Sequence, residues 1–333
     1  SSVGCLRMPC DVCEACRPGE YSKGVFGTPE CFGCAAGKYT NNEGSTICLP
    51  IPQGWSGVGF MEGTASPCLA GEASDGGVAP CKPCGPGFFG SWPGFPTCAA
   101  CPPGKFSNAS RNTDCFATRP GYFQISSGES FEEPCPVGTA SPIRTGAAQC
   151  EQCRPGSFAI ATGSTSCTPT EPGRFQNEWG QTFSIPCPMG TINPWKDGAA
   201  SCQDCWPGFF VNVSGSSTCF KTEPGFFQNE YKQTKEIPCP LGTFSPSAVA
   251  ADCLSCNPGT YSNSSGSSTC LLTAAGYYQD AFGQAVELPC PRGTFNPSDL
   301  GAKKCDDCLP GKIGTTEGAS GCLRAPPGFF QNV

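Results

Sequence analysis

The sequence predicts a small, disulfide-rich fold of mostly β and irregular structure, built as an elongated tandem-repeat rod with little or no helix. Three observations support this prediction. The 333 residues include 44 Gly, 35 Pro and 29 Cys, a composition rich in turns, rigid segments and crosslinks. The cysteines recur with a fixed period, which is typical of tandem modules. Gly or Pro interrupts every long stretch, and apolar residues show no sustained helical spacing.

The composition also limits the compartment and the function. Twenty-nine cysteines predict an oxidising environment, so we expect an extracellular protein, either secreted or at the cell surface. The 20 basic and 27 acidic residues form no run of one sign, so no nucleic-acid partner is expected. No apolar stretch reaches the roughly 18–20 residues of a membrane span, so we expect no membrane insertion in this segment.

The chain has no His, which removes His-based catalysis and imidazole metal sites. We therefore expect neither enzyme activity nor a small-molecule substrate, and no metal or cofactor. The only attached groups that we expect are N-linked glycans.

The cysteine spacing divides the chain into repeats. From Cys135 onward the pattern C-x14-C-x2-C-x13-C-x19 returns after 52, 52 and 51 residues, with x13 as the first interval from Cys239. The predicted modules are 1–15 as part of a preceding module, 16–67 as a repeat, 68–134 as a repeat extended by one half-unit, 135–186, 187–238 and 239–289 as repeats, and 290–333 as a repeat followed by the start of a truncated next one.

The elementary unit is a half-unit that runs from a leading Cys to a partner 13 to 15 residues later. In all thirteen half-units a Gly stands three residues after the leading Cys, and most have Pro just before it. This order suits a type II turn, in which Gly accepts a positive φ. In nine half-units an aromatic residue stands five residues after the leading Cys, and we interpret it as packing over the disulfide.

Local disulfides within each half-unit are favoured, because the extra half-unit between Cys98 and Cys115 leaves no unpaired cysteine only if each half-unit closes on itself. Interleaved pairing, first with third and second with fourth, is the alternative. The predicted pairs are Cys16 with Cys31, Cys34 with Cys48, Cys68 with Cys81, Cys84 with Cys98, Cys101 with Cys115, Cys135 with Cys150, Cys153 with Cys167, Cys187 with Cys202, Cys205 with Cys219, Cys239 with Cys253, Cys256 with Cys270, Cys290 with Cys305, and Cys308 with Cys322. The odd set Cys5, Cys10 and Cys13 has no assigned pairing.

A 19-residue segment without cysteine separates the paired half-units. The copy before Cys239 contains Pro224, Gly225, Phe226, Phe227 and Gln228, followed by a polar turn. Aromatic and β-branched residues around a polar turn favour a short hairpin over a helix.

Three N-glycosylation sequons begin at Asn108, Asn212 and Asn263, each seven residues after the leading Cys of its half-unit. Their shared register is compatible with glycans on loop crests. The alternative is that duplication copied an Asn-Ser loop that suits a turn.

Aromatic doublets suggest a surface for neighbouring chains. One member of each doublet should pack inward, and the other would form an interaction stripe of Phe88, Phe209, Phe226 and Phe329. Packing between modules is the equal alternative.

Nine C-x2-C pairs raise the question of zinc, but a single pair alternates with lone cysteines at x13 and x19, so two pairs do not converge. We interpret these pairs as joints between modules. The acidic pairs Glu132-Glu133 and Asp306-Asp307 lie outside any D-x-D-x-D-G loop and are interpreted as surface charge.

The stretch from Cys239 to Cys270 combines Cys-Pro-x-Gly-Thr-Phe-Ser-Pro with Cys-x2-Cys-x-Pro-Gly-x-Tyr-Ser-Asn-x-Ser-Gly-Ser-Ser-Thr-Cys. It resembles the ephrin-receptor-like cysteine-rich repeat, and the resemblance extends over nearly the whole chain. That family is similar to the first half-module of tumour necrosis factor receptor domains, whose local disulfide agrees with the pairing above. Uninterrupted arrays with Gly, Ser and Asn-rich crests and no His also resemble mastigoneme proteins, the subunits of hairs on eukaryotic flagella.

The predicted function is that of a structural subunit in an extracellular filament or coat, such as flagellar hairs. A disulfide-stapled rod would associate laterally with further copies, as a homo-oligomer or as filament neighbours. The alternative is the stalk of a cell-surface receptor or adhesion protein.

Overall fold

A computed structural model describes residues 14–24, 30–57, 63–141, 146–298 and 300–328. These residues form 36 short strands and no helix. Each strand pairs antiparallel with its sequence neighbour, which gives eighteen two-stranded hairpins. This confirms the predicted disulfide-rich tandem-repeat fold. The predicted module boundaries stay predictions, and Cys5, Cys10 and Cys13 lie outside the described residues.

The strands follow one another in a single series of hairpins. In chain order they are Glu20–Tyr21 (β1) with Phe32–Gly33 (β2), Lys38–Tyr39 (β3) with Leu49–Pro50 (β4), Trp55–Gly57 (β5) with Ala65–Pro67 (β6), Glu72–Ala73 (β7) with Lys82–Pro83 (β8), Phe88–Phe89 (β9) with Ala99–Ala100 (β10), Lys105–Phe106 (β11) with Phe116–Ala117 (β12), Tyr122–Phe123 (β13) with Glu133–Pro134 (β14), Thr139–Ala140 (β15) with Glu151–Gln152 (β16), Ser157–Phe158 (β17) with Thr168–Pro169 (β18), Arg174–Phe175 (β19) with Ile185–Pro186 (β20), Thr191–Ile192 (β21) with Gln203–Asp204 (β22), Phe209–Phe210 (β23) with Phe220–Lys221 (β24), Phe226–Phe227 (β25) with Ile237–Pro238 (β26), Thr243–Phe244 (β27) with Leu254–Ser255 (β28), Thr260–Tyr261 (β29) with Leu271–Leu272 (β30), Tyr277–Tyr278 (β31) with Leu288–Pro289 (β32), Thr294–Phe295 (β33) with Asp306–Asp307 (β34), and Lys312–Ile313 (β35) with Leu323–Arg324 (β36). Five hairpins, β5/β6, β13/β14, β19/β20, β25/β26 and β31/β32, contain no cysteine pair.

The cysteine-free hairpins are structural equivalents of the others. We call the site of the first cysteine the leading position and the site of the second the closing position. Leading positions follow one another at Cys239, Cys256, Thr273 and Cys290, each 17 residues after the last. A 52-residue repeat is therefore three hairpins of one design, two with a disulfide and one without.

A glycine shapes the start of every hairpin. Gly242, three residues after Cys239, has φ of 79°, a conformation that residues with a side chain rarely adopt. A hydrogen bond of 3.1 Å from the Thr243 N–H to the Pro240 carbonyl closes the same turn. The predicted Pro-Gly form of the turn is present at Pro258 and Gly259, where Gly259 has φ of 88° and the Thr260 N–H donates to the Asn257 carbonyl at 2.9 Å. The turn directs the chain into the first strand.

Consecutive hairpins are joined by main-chain hydrogen bonds within each compact unit of the chain. The Gly242 N–H donates to the carbonyl of Ser262 at 2.8 Å, and the Ser245 N–H donates to Ser267 at 3.1 Å. In return, the turn residue Gly266 donates to the carbonyl of Cys239 at 2.9 Å. These bonds satisfy loop backbone groups that a lone two-stranded hairpin would leave to water.

Hairpins also contact the second hairpin along the chain. A Cβ added at Gly225 would lie 2.1 Å from the carbonyl oxygen of Gly266, two hairpins later. Only glycine fits at this contact, because it lacks the Cβ that would collide with the carbonyl.

The interior differs from a conventional apolar core. Its fully buried side chains are the leading cysteines and small or amide side chains such as Val211, Thr222 and Gln228. The aromatic residues five after the leading position are half-buried. They pack across the strands, as the rings of Phe106 and Phe116 do at 6.1 Å. Their packing over each disulfide stays a prediction.

Two compact units divide the chain. One consists of Ser1–Arg154, Ala159–Cys167 and Trp179–Thr182, and the other of Pro155–Phe158, Thr168–Glu178 and Phe183–Val333. Among the described residues, no helix is long and apolar enough to cross a membrane.

Candidate functional surface

Among the described residues, thirteen disulfides each join the leading and closing cysteine of one hairpin, with Cα–Cα distances of 5.5 to 5.9 Å. This is the local arrangement that the extra half-unit favours, and the interleaved arrangement does not occur in the described part of the chain. A loop-entropy model gives about 3 kcal/mol for each loop of this length. Such a density of disulfides is typical of an extracellular or cell-surface protein.

A carboxylate replaces the closing cysteine in three of the cysteine-free hairpins. The Glu236 carboxylate accepts a hydrogen bond of 2.8 Å from the N–H of Glu223, the residue after the leading Thr222. Equivalent bonds run from Arg119 to Glu132 at 2.8 Å and from Ala274 to Glu287 at 2.7 Å. We call this arrangement the glutamate latch.

The leading threonines bond elsewhere. Thr118, Thr170, Thr222 and Thr273 are all fully buried. The Thr222 hydroxyl accepts from the N–H of Ala250 at 3.0 Å, which ties the leading position to the next hairpin. The latch closes the hairpin, and the threonine links it to its neighbour.

The remaining cysteine-free hairpins close in other ways. In the hairpin that begins at Thr170, Ser184 holds the closing position and accepts a bond of 2.7 Å from Nε of Arg174. In the hairpin that begins at Ile51, the closing position is Ala65, and both side chains are buried and apolar.

Electrostatics at the latches shift two pKa values. The Arg119 side chain bonds to Glu132, and this hydrogen bond, with the charge attraction, raises the pKa of Arg119 above its ordinary value. Burial raises the pKa of Tyr261 above its ordinary 10.0, and the nearby Glu287 carboxylate raises it further.

The loops of four cysteine-free hairpins, the three latch hairpins and the one that begins at Thr170, are held by a buried glutamine six residues after the leading position. In one of them, Nε2 of Gln228 donates to the Lys235 carbonyl at 2.7 Å, and Oε1 accepts from the Glu230 N–H at 3.1 Å. The same pair of bonds forms at Gln124, Gln176 and Gln279. Each loop is therefore ordered up to its tip.

Three of these ordered tips carry an exposed aromatic ring, nine residues after the leading position. We call Trp179, Tyr231 and Phe282 the crest aromatics; their exposed fractions are 57%, 61% and 65%. The equivalent residue of the earlier hairpin is Ser127. Sequence reasoning missed this set because it treated the loop as a polar turn. The aromatic-x-Gln order at intervals of 52 and 51 residues was the available signal.

The predicted stripe lies mostly against neighbouring hairpins. Phe88 is 39% exposed, and its ring lies against the turn at Gly128, with 3.6 Å between its Cζ and a Cβ placed there. The Cζ of Phe226 would lie 3.7 Å from a Cβ placed at Gly266. Phe209 is half-buried. Phe329 lies outside the described residues. Packing between hairpins therefore accounts for Phe88 and Phe226, and a contact with other chains stays a prediction.

Asn108, Asn212 and Asn263 are all exposed on hairpin loops. Each follows directly after a buried residue, Ser107, Val211 or Ser262. The structure thus leaves the three sequons accessible, and their glycans stay a prediction.

The described residues contain no group of three or more Cys, Asp or Glu that would hold a metal ion. Two surface pockets have volumes of about 190 and 180 Å³. Both are smaller than the roughly 300–1,000 Å³ of typical small-molecule sites.

No protein-family model matches the chain. A stretch of 77 residues, 22% of the chain, is 39% identical to Sushi, von Willebrand factor type A, EGF and pentraxin domain-containing protein 1 of Rattus norvegicus. The match spans about 2% of that relative's length. The repeated disulfide-rich hairpins fit a cysteine-rich repeat, and the ephrin-receptor-like and mastigoneme resemblances stay predictions.

Proposed function

We propose that the chain is a structural segment of an extracellular filament or coat, such as the hairs of eukaryotic flagella, and that it associates laterally with further copies. The observation that carries this proposal is the uninterrupted bonding of consecutive hairpins within each unit. The thirteen disulfides add covalent closure to most of these hairpins. A chain built this way resists extension without needing a large core.

Tension would be shared unequally among the hairpins. A disulfide prevents its loop from lengthening, whereas a latch hairpin is held by hydrogen bonds alone. The cysteine-free hairpins, which include the latch hairpins, are therefore the elements that yield first, and the disulfide-closed hairpins keep their shape.

Lateral contacts are supported by an apolar residue that follows the closing position in many hairpins. This residue starts the second strand and is exposed in Leu49, Phe116, Phe220, Leu254, Leu271, Leu288 and Leu323. Apolar side chains repeated at the hairpin period fit a partner with the same period, and a second copy of this chain has that period.

Electron microscopy of the native protein tests this proposal. We expect ordered filaments with an axial period. Replacing Phe220, Leu254, Leu271 and Leu323 by Ser should abolish them. Ser at the control set Trp206, Leu241, Leu300 and Leu309, which is on average more exposed, should leave them intact. Separate molecules that end in a globular head would overturn the filament role.

The second candidate is the stalk of a receptor or adhesion protein. It is favoured by the short match to a long relative whose name records several other domain types. A stalk would stay monomeric at all concentrations in sedimentation, and both sets of serine variants would behave like the wild type.

A further inference from the structure

A main-chain hydrogen bond joins two adjacent hairpins next to a sequon on one and a crest aromatic on the other. The Val211 N–H donates to the carbonyl of Gln233 at 3.0 Å. Asn212 directly follows the donor, and Tyr231 lies two residues before the acceptor. Both Asn212 and Tyr231 are exposed.

The next repeat has the same juxtaposition. The Ser262 N–H donates to the carbonyl of Gln284 at 3.1 Å. Asn263 follows the donor, Phe282 lies two residues before the acceptor, and both are exposed. The aromatic residue is Tyr231 in one repeat and Phe282 in the next, so the two repeats share an aromatic ring but not a phenol hydroxyl.

Hydrogen bonds order the backbone that carries the ring at each tip. Nε2 of Gln233 donates to the Tyr231 carbonyl at 3.2 Å, and Gln284 donates to the Phe282 carbonyl at 3.1 Å. Together with the buried glutamine of the same loop, this fixes the backbone on both sides of the ring. A ring on an ordered loop costs less conformational entropy to cover than a ring on a loop whose backbone must first be ordered.

We propose that Tyr231 and Phe282 are platforms for the innermost N-acetylglucosamine of N-glycans on Asn212 and Asn263. The sugar is attached when the Asn amide nitrogen loses a proton and bonds to C1, as the lipid-linked diphosphate leaves. One face of the pyranose ring presents C–H groups, which pack against an aromatic face while the hydroxyls stay in water. This contact covers an apolar ring that the protein otherwise leaves exposed.

The chain provides two natural controls. Asn108 has the same surroundings, since the Ser107 N–H donates to Glu129 at 3.2 Å, but its crest residue is Ser127. Trp179 is a crest aromatic without a sequon.

At the Trp179 crest, the sequon position holds Ile160, which is 71% exposed. It follows Ala159, whose N–H donates to Gln181 at 3.0 Å. Because Ala161 and Thr162 come next, Ile160→Asn creates a sequon at this crest.

The test measures release of each glycan from the native full chain, secreted by eukaryotic cells, with an amidase that cleaves the Asn–sugar bond. Mass spectrometry reports each site as Asn converted to Asp. We expect release at Asn212 and Asn263 to be several-fold slower than at Asn108. Tyr231→Ser should accelerate Asn212 alone, and Phe282→Ser should accelerate Asn263 alone.

Two gain-of-contact variants complete the test. Ser127→Tyr should slow release at Asn108, and the glycan of Ile160→Asn should be released slowly unless Trp179 is also changed to Ser. Denatured, reduced chains should show no difference between sites.

Unoccupied Asn212 and Asn263, or release rates that the crest variants leave unchanged, would overturn the proposal. It requires secretion but not filament formation, so its failure leaves the proposed function standing. Failure of the filament role would likewise leave this glycan proposal standing.

Discussion

The Glu287 carboxylate accepts a hydrogen bond from the main-chain N–H of Ala274 at 2.7 Å, at the position where the preceding hairpin has its closing cysteine. The preceding hairpin is closed by the Cys256–Cys270 disulfide. One backbone design thus accepts either a covalent or a hydrogen-bonded closure. From Cys135 onward, two disulfide hairpins alternate with one hairpin that has no disulfide, and that hairpin is a latch at Thr222 and Thr273.

A disulfide should form in a latch hairpin without changing its fold. Thr222 and Glu236 are 14 residues apart, as are Cys239 and Cys253, whose Cα atoms are 5.7 Å apart. We expect T222C/E236C to oxidise spontaneously on secretion, which mass spectrometry shows as a loss of two hydrogens. The loop model gives about 3 kcal/mol of stabilisation. The single variants are the controls, and a pair of free thiols in the double variant would contradict structural equivalence.

The oxidised T222C/E236C variant should have a shorter fully extended length under tension than the wild type. The 19 residues between Cys219 and Cys239 are outside any disulfide loop and are free to extend. Locking Thr222 to Glu236 should reduce the fully extended length by roughly 40 Å at about 3.5 Å per residue. Single-molecule pulling of oxidised wild type and variant measures this difference. Equal lengths would show that the latch hairpins are not the extensible elements.

The sequence predicted the local disulfides from the cysteine spacing, the turns from Gly and Pro, and the absence of helix from the lack of helical apolar spacing, because each depends on neighbouring residues. Pro-Gly turns need only Gly at a positive φ, and a loop of about 15 residues closes on itself at little entropic cost. The equivalence of all hairpins was missed. Counting cysteines cannot detect a unit whose closing residue is Glu236, and Thr222 resembles an ordinary surface residue until its burial is known.

The sequence also did not predict which side chains fill the interior. Aromatic rings were expected inside because apolar area drives burial. The rings five residues after the leading position are instead half-buried, and small or amide side chains fill the interior. The side chain of Gln228 fits and satisfies two loop groups of its own hairpin, whereas Phe226 covers a turn from outside.

Tyr261 should report on the adjacent latch. Burial raises the pKa of its phenol above 10.0, and the Glu287 charge adds to this. Glu287→Gln should lower the pKa of Tyr261 but leave it above 10.0, because burial is the larger cause. NMR titration of a labelled ring carbon of Tyr261 measures this pKa, and Glu230→Gln is the control.

The raised pKa of Tyr261 also makes the stability of the folded state depend on pH. The native state holds the phenolic proton more tightly than the unfolded chain, so this contribution is intact below pH 10 and is lost as the pH rises through the native pKa. An unchanged pKa in Glu287→Gln would mean that the carboxylate does not act on Tyr261.

Every hairpin has a glycine three residues after the leading position, for which there are two possible reasons: the positive φ and the close contact with the second hairpin. Substitutions at Gly225 and Gly311 distinguish these reasons. Both have a positive φ, 89° and 80°. A Cβ at Gly225 would lie 2.1 Å from the Gly266 carbonyl oxygen, whereas nothing lies within 4 Å of one at Gly311 among the described residues. Gly311→Ala should therefore cost about 1–2 kcal/mol from backbone strain alone.

Gly225→Ala should cost about 1–3 kcal/mol more, because the alanine methyl must push the second hairpin away. Native-state hydrogen exchange measures both effects locally, at the Gly266 amide for Gly225→Ala and at the Ala325 amide for Gly311→Ala. These amides donate to Cys239 and Gly311 at 2.9 and 3.0 Å. Equal losses at the two sites would show that backbone conformation alone requires glycine. A larger loss at Gly266 would show that contact with the second hairpin also selects it.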